Sequence, residues 1–151
     1  MKNSRIIIFL SLLLGACSTE TSKKTEALNE NNVTKTKDGL MMKQILVSAG
    51  QFRTCKEVKI EGHKFDLVLQ ENDTTYLSTA DSLFLTPEKY HAGMTLSQIS
   101  EKARNTLVKE PGWGYYIALS SGWKLGFCEG TSCTDSEPTD NSKVKWIFKR
   151  D

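Results

Sequence analysis

The stretch from Tyr115 to Phe148 sets the tightest limit on what this chain can become. Tyr115, Ile117 and Leu119 alternate with Tyr116, Ala118 and Ser120, and Trp123, Leu125 and Phe127 alternate with Lys124, Gly126 and Cys128. Successive side chains of a strand point to opposite faces, so each run presents one apolar and one more polar face. Ser121-Gly122 lies between the runs as a turn, and the pair reads as an antiparallel hairpin. Val144, Trp146 and Phe148 alternate with Lys143, Lys145 and Ile147 to give a last strand. An antiparallel sheet with one aromatic-rich face needs a cover.

The upstream sequence offers one. Thr95-Leu96-Ser97-Gln98 matches a capping box, and Leu96, Ile99, Ala103 and Leu107 keep helical spacing. The spacing predicts a covering helix over about 96–105. Thr86-Pro87-Glu88 is a briefer helix start, ended before Gly93. Val58 and Ile60, then Phe65, Leu67 and Leu69, alternate on either side of Glu61-Gly62-His63-Lys64 and predict a second hairpin. Glu71-Asn72-Asp73 turns the chain into a third short strand at Thr75-Tyr76-Leu77. Met42, Ile45, Leu46 and Ala49 fall at i, i+3, i+4 and i+7, which predicts a short helix over about 40–49 closed by Gly50. The class is α+β: a small antiparallel sheet of about five or six strands with one main covering helix. The globular domain is expected to span residues 39–151.

The other end of the chain speaks to location. Lys2 and Arg5 precede an apolar run over 6–14 broken only by Ser11, the layout of a secretory signal too short to span a bilayer. Leu14-Gly15-Ala16-Cys17 resembles the lipobox of bacterial lipoproteins. That resemblance implies removal of residues 1–16, a diacylglyceryl group on the Cys17 thiol and an acylated (palmitate-type) new amino end. Two or three acyl chains hold a protein on a membrane at about 0.8 kcal/mol per buried CH₂. Ser18 resembles the outer-membrane sorting residue rather than a retention signal, so the expected place is the cell envelope, at the outer membrane. Ser18 to Asp38 contains only Ala27, Leu28 and Val33 as apolar residues, so residues 17–38 read as the acylated cysteine and a disordered tether. As a coil it reaches about 25 Å. The full chain has 20 basic and 18 acidic residues, and the loss of Lys2 and Arg5 leaves 18 of each. A neutral domain lacks the basic excess that nucleic acids demand, so no nucleic-acid partner is expected.

His91-Ala92-Gly93-Met94-Thr95-Leu96-Ser97-Gln98-Ile99 resembles the Gly-Met-Thr helix start of SmpA/OmlA-type small outer-membrane lipoproteins. The resemblance implies helices packed on a three-stranded antiparallel sheet and a part in barrel assembly. It carries over a shape and no functional residues.

Chemistry-bearing residues are sparse. Cys17 is assigned to lipid, leaving Cys55, Cys128 and Cys133. Cys128 and Cys133 enclose Glu129-Gly130-Thr131-Ser132 and are the expected disulfide, whereas Cys55 reads as a buried free thiol, its pairing with either of the other two being the alternative left open. The two histidines, His63 and His91, stand apart from any nucleophile motif, and no metal-ligand spacing occurs. The domain is therefore read as non-enzymatic, with no cofactor and no metal. Glu129, Asp135, Glu137 and Asp140 read as a solvated acidic loop before they read as a Ca²⁺ site. Trp113, between Gly112 and Gly114, reads first as a large ring closing one end of the core and otherwise as the leading binding candidate, joined by Tyr116 if that ring points away from the sheet core. The function expected is binding or assembly of an envelope protein or glycan by a membrane-anchored lipoprotein. The alternative is inhibition of an envelope-targeting hydrolase such as lysozyme through the acidic 129–140 loop.

Overall fold

Three tight turns organise the first half of the domain. A computed structural model describes residues 33–35 and 41–151. Strands β1 (Val33–Lys35), β2 (Met41–Ser48), β3 (Gln51–Ile60), β4 (His63–Gln70) and β5 (Asp73–Thr79) follow one another, and β2 to β5 form a meander. Glu61 and Gly62 have φ of 52° and 88°, and Glu71 and Asn72 have φ of 51° and 80°. Paired positive φ values match the right-handed twist of the flanking strands, which is why these two-residue turns close hairpins. The second half supplies a 3-10 turn (Leu96–Gln98), α1 (Glu101–Arg104), β6 (Leu107–Glu110), β7 (Gly114–Ala118), β8 (Lys124–Phe127) and β9 (Trp146–Arg150). All strands join one antiparallel nine-stranded sheet in the order β1-β2-β3-β4-β5-β9-β8-β7-β6.

The α+β expectation is thus corrected: the domain is nearly all sheet, curled into a half-barrel, with no long helix among the described residues. The hairpins at 58–69 and 115–127, the strand after Asn72 and the last strand lie where the alternation placed them. The helix expected over 40–49 is β2. Its pairing with β3 shifts register between Leu46 and Ser48, and Ile45-Leu46-Val47 crosses that irregularity, so strict alternation is lost. Gly50 (φ 68°) turns a hairpin instead of ending a helix.

The helix expected over 96–105 breaks in its middle. The Thr95–Gln98 capping box forms, with the Gln98 side chain accepting from Thr95 N–H at 2.9 Å. Ile99 and Ser100 then take extended ψ values of 138° and 144°. Ile99 drops into the core, and the Ser100 hydroxyl caps the four-residue α1 by accepting from Ala103 N–H. Leu107, the last member of the helical stripe, pairs with Ile117 in β6. Loop segments cover the sheet instead. Gly93 N–H donates to Val144 O at 2.8 Å, Val144 N–H returns to Met94 O at 2.8 Å, and Leu96 N–H reaches Ser142 O.

Two apolar clusters lie on opposite faces of the central strands. Ile117, Leu125, Phe127 and Ile147 pack under Leu96, Ile99 and Val144, while Phe148 packs with Cys55, Val68, Tyr76 and Trp113. Ile147 and Phe148 are sequence neighbours, point to opposite faces and are both fully buried, so β9 is covered on both sides. The β2 end curls over the second face. Arg150 donates to Val47 O at 2.8 Å, Trp113 Nε1 donates to Leu46 O at 3.2 Å and Ala49 N–H donates to Glu110 Oε1 at 3.2 Å. Gly126 leaves room for the Trp146 ring, which a Cβ there would strike.

Cys128 and Cys133 are joined in a disulfide, and Cys55 is free and buried. Burial, aided by Asp66, pushes the Cys55 thiol up to about 11, so it stays protonated and inert at neutral pH. Residues 1–16, Cys17 and most of the expected tether lie outside the described residues. Val33–Lys35, which fall inside the 17–38 segment read as tether, pair with β2 and so lengthen the sheet beyond the expected domain start.

Candidate functional site

The loop after β5 is held by short polar contacts. Thr79 Oγ1 donates to Lys64 O at 2.7 Å and accepts from Asp81 N–H at 3.0 Å. Asp81 Oδ1 accepts from Leu83 N–H at 2.9 Å, and Oδ2 faces His63 Nδ1 at 3.0 Å. The Leu83 N–H and then His63 hold the Asp81 carboxyl below its usual range, so it is an ionised acceptor at neutral pH. These contacts turn the chain so that Leu83-Phe84-Leu85 stands proud of the sheet.

Phe84 is the inward member of that triplet. Its ring meets Phe65 edge-on at 5.1 Å, Trp123 at 5.0 Å and His63 at 5.7 Å. Leu83 and Leu85 do not follow it inward. Leu83 is 78% exposed, Leu85 49% and nearby Ile60 42%. Beside Leu85 and Ile60 runs a groove of about 360 Å³, lined by Ile60, Leu77, Phe84, Leu85 and Trp123, with the charged Glu61 and Lys89 also in its wall. Lys149 lies over the Trp123 ring at 4.8 Å. The groove has an aromatic floor and a rim that mixes aliphatic with charged side chains, a surface able to receive an apolar side chain.

The residues singled out in the sequence sit elsewhere. Trp113 is 4% exposed and lies inside the half-barrel, 4.8 Å from Phe148, 5.2 Å from Trp146 and 5.0 Å from the Arg150 guanidinium. Tyr116 is half-buried beside it at 6.1 Å. The structure brings the two together, but around Phe148 and not on an open surface. His63 serves Asp81, while His91 Nδ1 meets Ala92 O at 2.9 Å. In the acidic loop, Asp135 accepts from Thr131 N–H at 2.7 Å and from the Ser132 hydroxyl, and Asp140 pairs with Arg104 at 3.4 Å. Those carboxylates shape the loop and its attachment, and among the described residues no three potential metal ligands converge. The groove residues escaped sequence reading because Leu83-Phe84-Leu85 has no period to score. Its signal is three consecutive apolar residues inside a loop, bounded by Asp81 and Thr86-Pro87.

No family model matches this chain, and no curated protein matches it. Among solved structures it is similar to the uncharacterised protein YfeY of Escherichia coli, with a TM-score of 0.49 and 17% identity, covering 74% of this chain and 81% of that one.

Proposed function

We propose that this chain is a non-catalytic, lipid-anchored binding protein of the bacterial cell envelope. Acyl chains on Cys17 hold it at the outer membrane, and the groove between Ile60, Phe84, Leu85 and Trp123 docks an apolar segment of an envelope protein. The observation that carries the docking reading is the exposure of Ile60 and Leu85 in the groove wall, with Leu83 exposed two residues before Leu85. Single exposed leucines are ordinary on a monomer, but exposed Ile60 and Leu85 over an aromatic floor, with Leu83 exposed next to them in the chain, support an interaction surface. The anchor rests on the lipobox-like Leu14-Gly15-Ala16-Cys17.

A photo-crosslinking side chain placed at Leu83 in growing cells is expected to give one discrete adduct with an envelope protein. Leu85→Glu abolishes the adduct while changing stability by no more than about 0.5 kcal/mol, because the side chain is half-exposed. The same probe at Phe52, exposed far from the groove, gives none. Adducts of equal yield at both positions would sink the docking reading.

The anchor has its own test. Mass spectrometry of native protein is expected to find a chain beginning at acylated Cys17, and Cys17→Ala is expected to leave the membrane fraction. An unacylated chain that keeps Met1 overturns the anchor without touching the groove.

A further inference from the structure

We infer that the opposite flank of residues 86–90 carries a second site, a pocket for one pyranose residue of an envelope glycan. The ridge between the two sites is pinned at Glu88, whose carboxylate accepts from Ser120 Oγ, Ser121 N–H and Ser121 Oγ, each at 2.9 Å. Behind it lies a cavity of about 310 Å³ between the ridge, α1 and the end of β7. That volume is at the small end of ligand pockets, the size for one ring rather than an extended chain.

The lining has the mixed character a sugar ring needs. Ala103 and Leu119 form an apolar floor for the C–H face, and Glu88, Tyr90, Ser100 and Lys102 stand around it. Tyr90 OH donates to Ser100 Oγ at 3.1 Å and accepts from Ser100 N–H at 3.2 Å, which fixes both groups at the rim. Ser100 Oγ is already an acceptor twice, from Tyr90 OH and from Ala103 N–H, so its own proton is left for a ligand. Glu88 Oε2 accepts a single hydrogen bond and keeps capacity for a sugar hydroxyl. Burial raises the Glu88 carboxyl, but the Ser121 and Ser120 donors outweigh it and leave it below its usual range, so it is an anion at neutral pH. Lys102 has no ion-pair partner among the described residues and supplies donors from the other side. Hydroxyl groups donate and accept at once, and an alternation of carboxylate, hydroxyl and ammonium over an apolar floor matches such a ligand better than a lipid or an apolar peptide.

The pocket stands independently of the docking groove. Amide chemical shifts of the full acylated chain in detergent micelles, titrated with glucose, galactose and N-acetylglucosamine, provide the test. At least one sugar is expected to give saturable, millimolar-range shifts at residues 100–106 and 120–121. Lys102→Gln and Glu88→Gln each weaken that binding about five- to tenfold, and Leu85→Glu leaves it unchanged. Glutamine at 88 keeps an oxygen acceptor for Ser121 N–H, and Lys102 is exposed, so both variants are expected to fold. No saturable shift at these residues with any of the three sugars overturns the pocket. So does binding that is unchanged in both variants.

Discussion

Arg150→Met is expected to lower the unfolding free energy by about 3 kcal/mol in a denaturant titration, the low end for breaking a buried ion pair. Arg150 Nη2 sits 2.7 Å from Glu110 Oε2, with 18% and 19% of the two side chains exposed. Its Nη1 donates to Val47 O at 2.8 Å, and the guanidinium covers the Trp113 ring. One side chain thereby joins β9, the end of β6 and the curled end of β2. Methionine preserves stem volume but leaves the Glu110 charge with only the Ala49 N–H and the Val47 carbonyl without its Arg150 donor, and that unpaired polarity sets the size of the loss. Residual exposure keeps the figure from rising further. Changing both partners, Glu110→Leu with Arg150→Met, is expected to cost less than the single change, because no lone charge remains. A single variant within about 0.5 kcal/mol of wild type would make the closure of the half-barrel a matter of apolar packing alone.

The same pair carries a pH dependence whose sign is fixed. Burial pushes the Glu110 carboxyl up, but the Arg150 hydrogen bond, the Ala49 N–H and the Arg150 charge together hold it below its ordinary value of 4.5. A carboxyl depressed in the folded state stabilises above the unfolded value and loses that contribution as pH falls through the folded one. The wild-type chain therefore weakens with acid below about pH 4.5 more steeply than Arg150→Met does.

How much of this was legible depends on whether a residue answers to its neighbours or to distant chain. Glu61-Gly62 and Ser121-Gly122 are local turn signals, and the strands beside them are alternating, so both hairpins are readable. Ile45-Leu46-Val47 crosses the register shift of β2 and all three pack toward the Phe148 cluster, so strand alternation is lost and a helical spacing fits by coincidence. The capping box at Thr95 is also local and forms as read, yet a cap starts a helix without fixing its length. Ile99 has a better place in the core than on a helical stripe, and the chain straightens to reach it. β6 is an edge strand with a mixed exposure pattern, so its sequence shows no alternation. The curl of the β2 end over the second face depends on partners 61 to 103 residues away, and no window of sequence contains it.

The candidate site failed to show itself for a related reason. Glycines on both sides of an indole suggest an exposed ring on a pliant loop. Their actual role is to let the backbone carry the ring inward. Gly112 and Gly114 take φ of 73° and 152°, and a Cβ on Gly114 would stand 2.7 Å from Phe127 O. Only a residue without a side chain fits that approach. The groove is formed by leucines whose neighbours in sequence offer no pattern, so exposure alone reveals it.

Trp113→Ala is accordingly expected to lose about 3–5 kcal/mol, the range for removing a large buried ring. The indole fills the space between Phe148, Trp146 and Tyr116, and its N–H satisfies Leu46 O. Truncation leaves a cavity at the closed end of the half-barrel, removes the surface under Arg150 and orphans a carbonyl. Trp113→Phe separates these effects. It keeps most of the packing and loses the N–H, so a smaller loss of about 1–2 kcal/mol is expected. Both variants, studied where they remain folded, should retain the Leu83 crosslink, because the groove lies on the other face of the sheet from this ring. If Trp113→Ala melts with the wild type and loses the crosslink, the ring belongs to partner recognition and not to the core. Equal melting would also mean that the second apolar face closes without its central indole, which the contacts around Phe148 and Arg150 argue against.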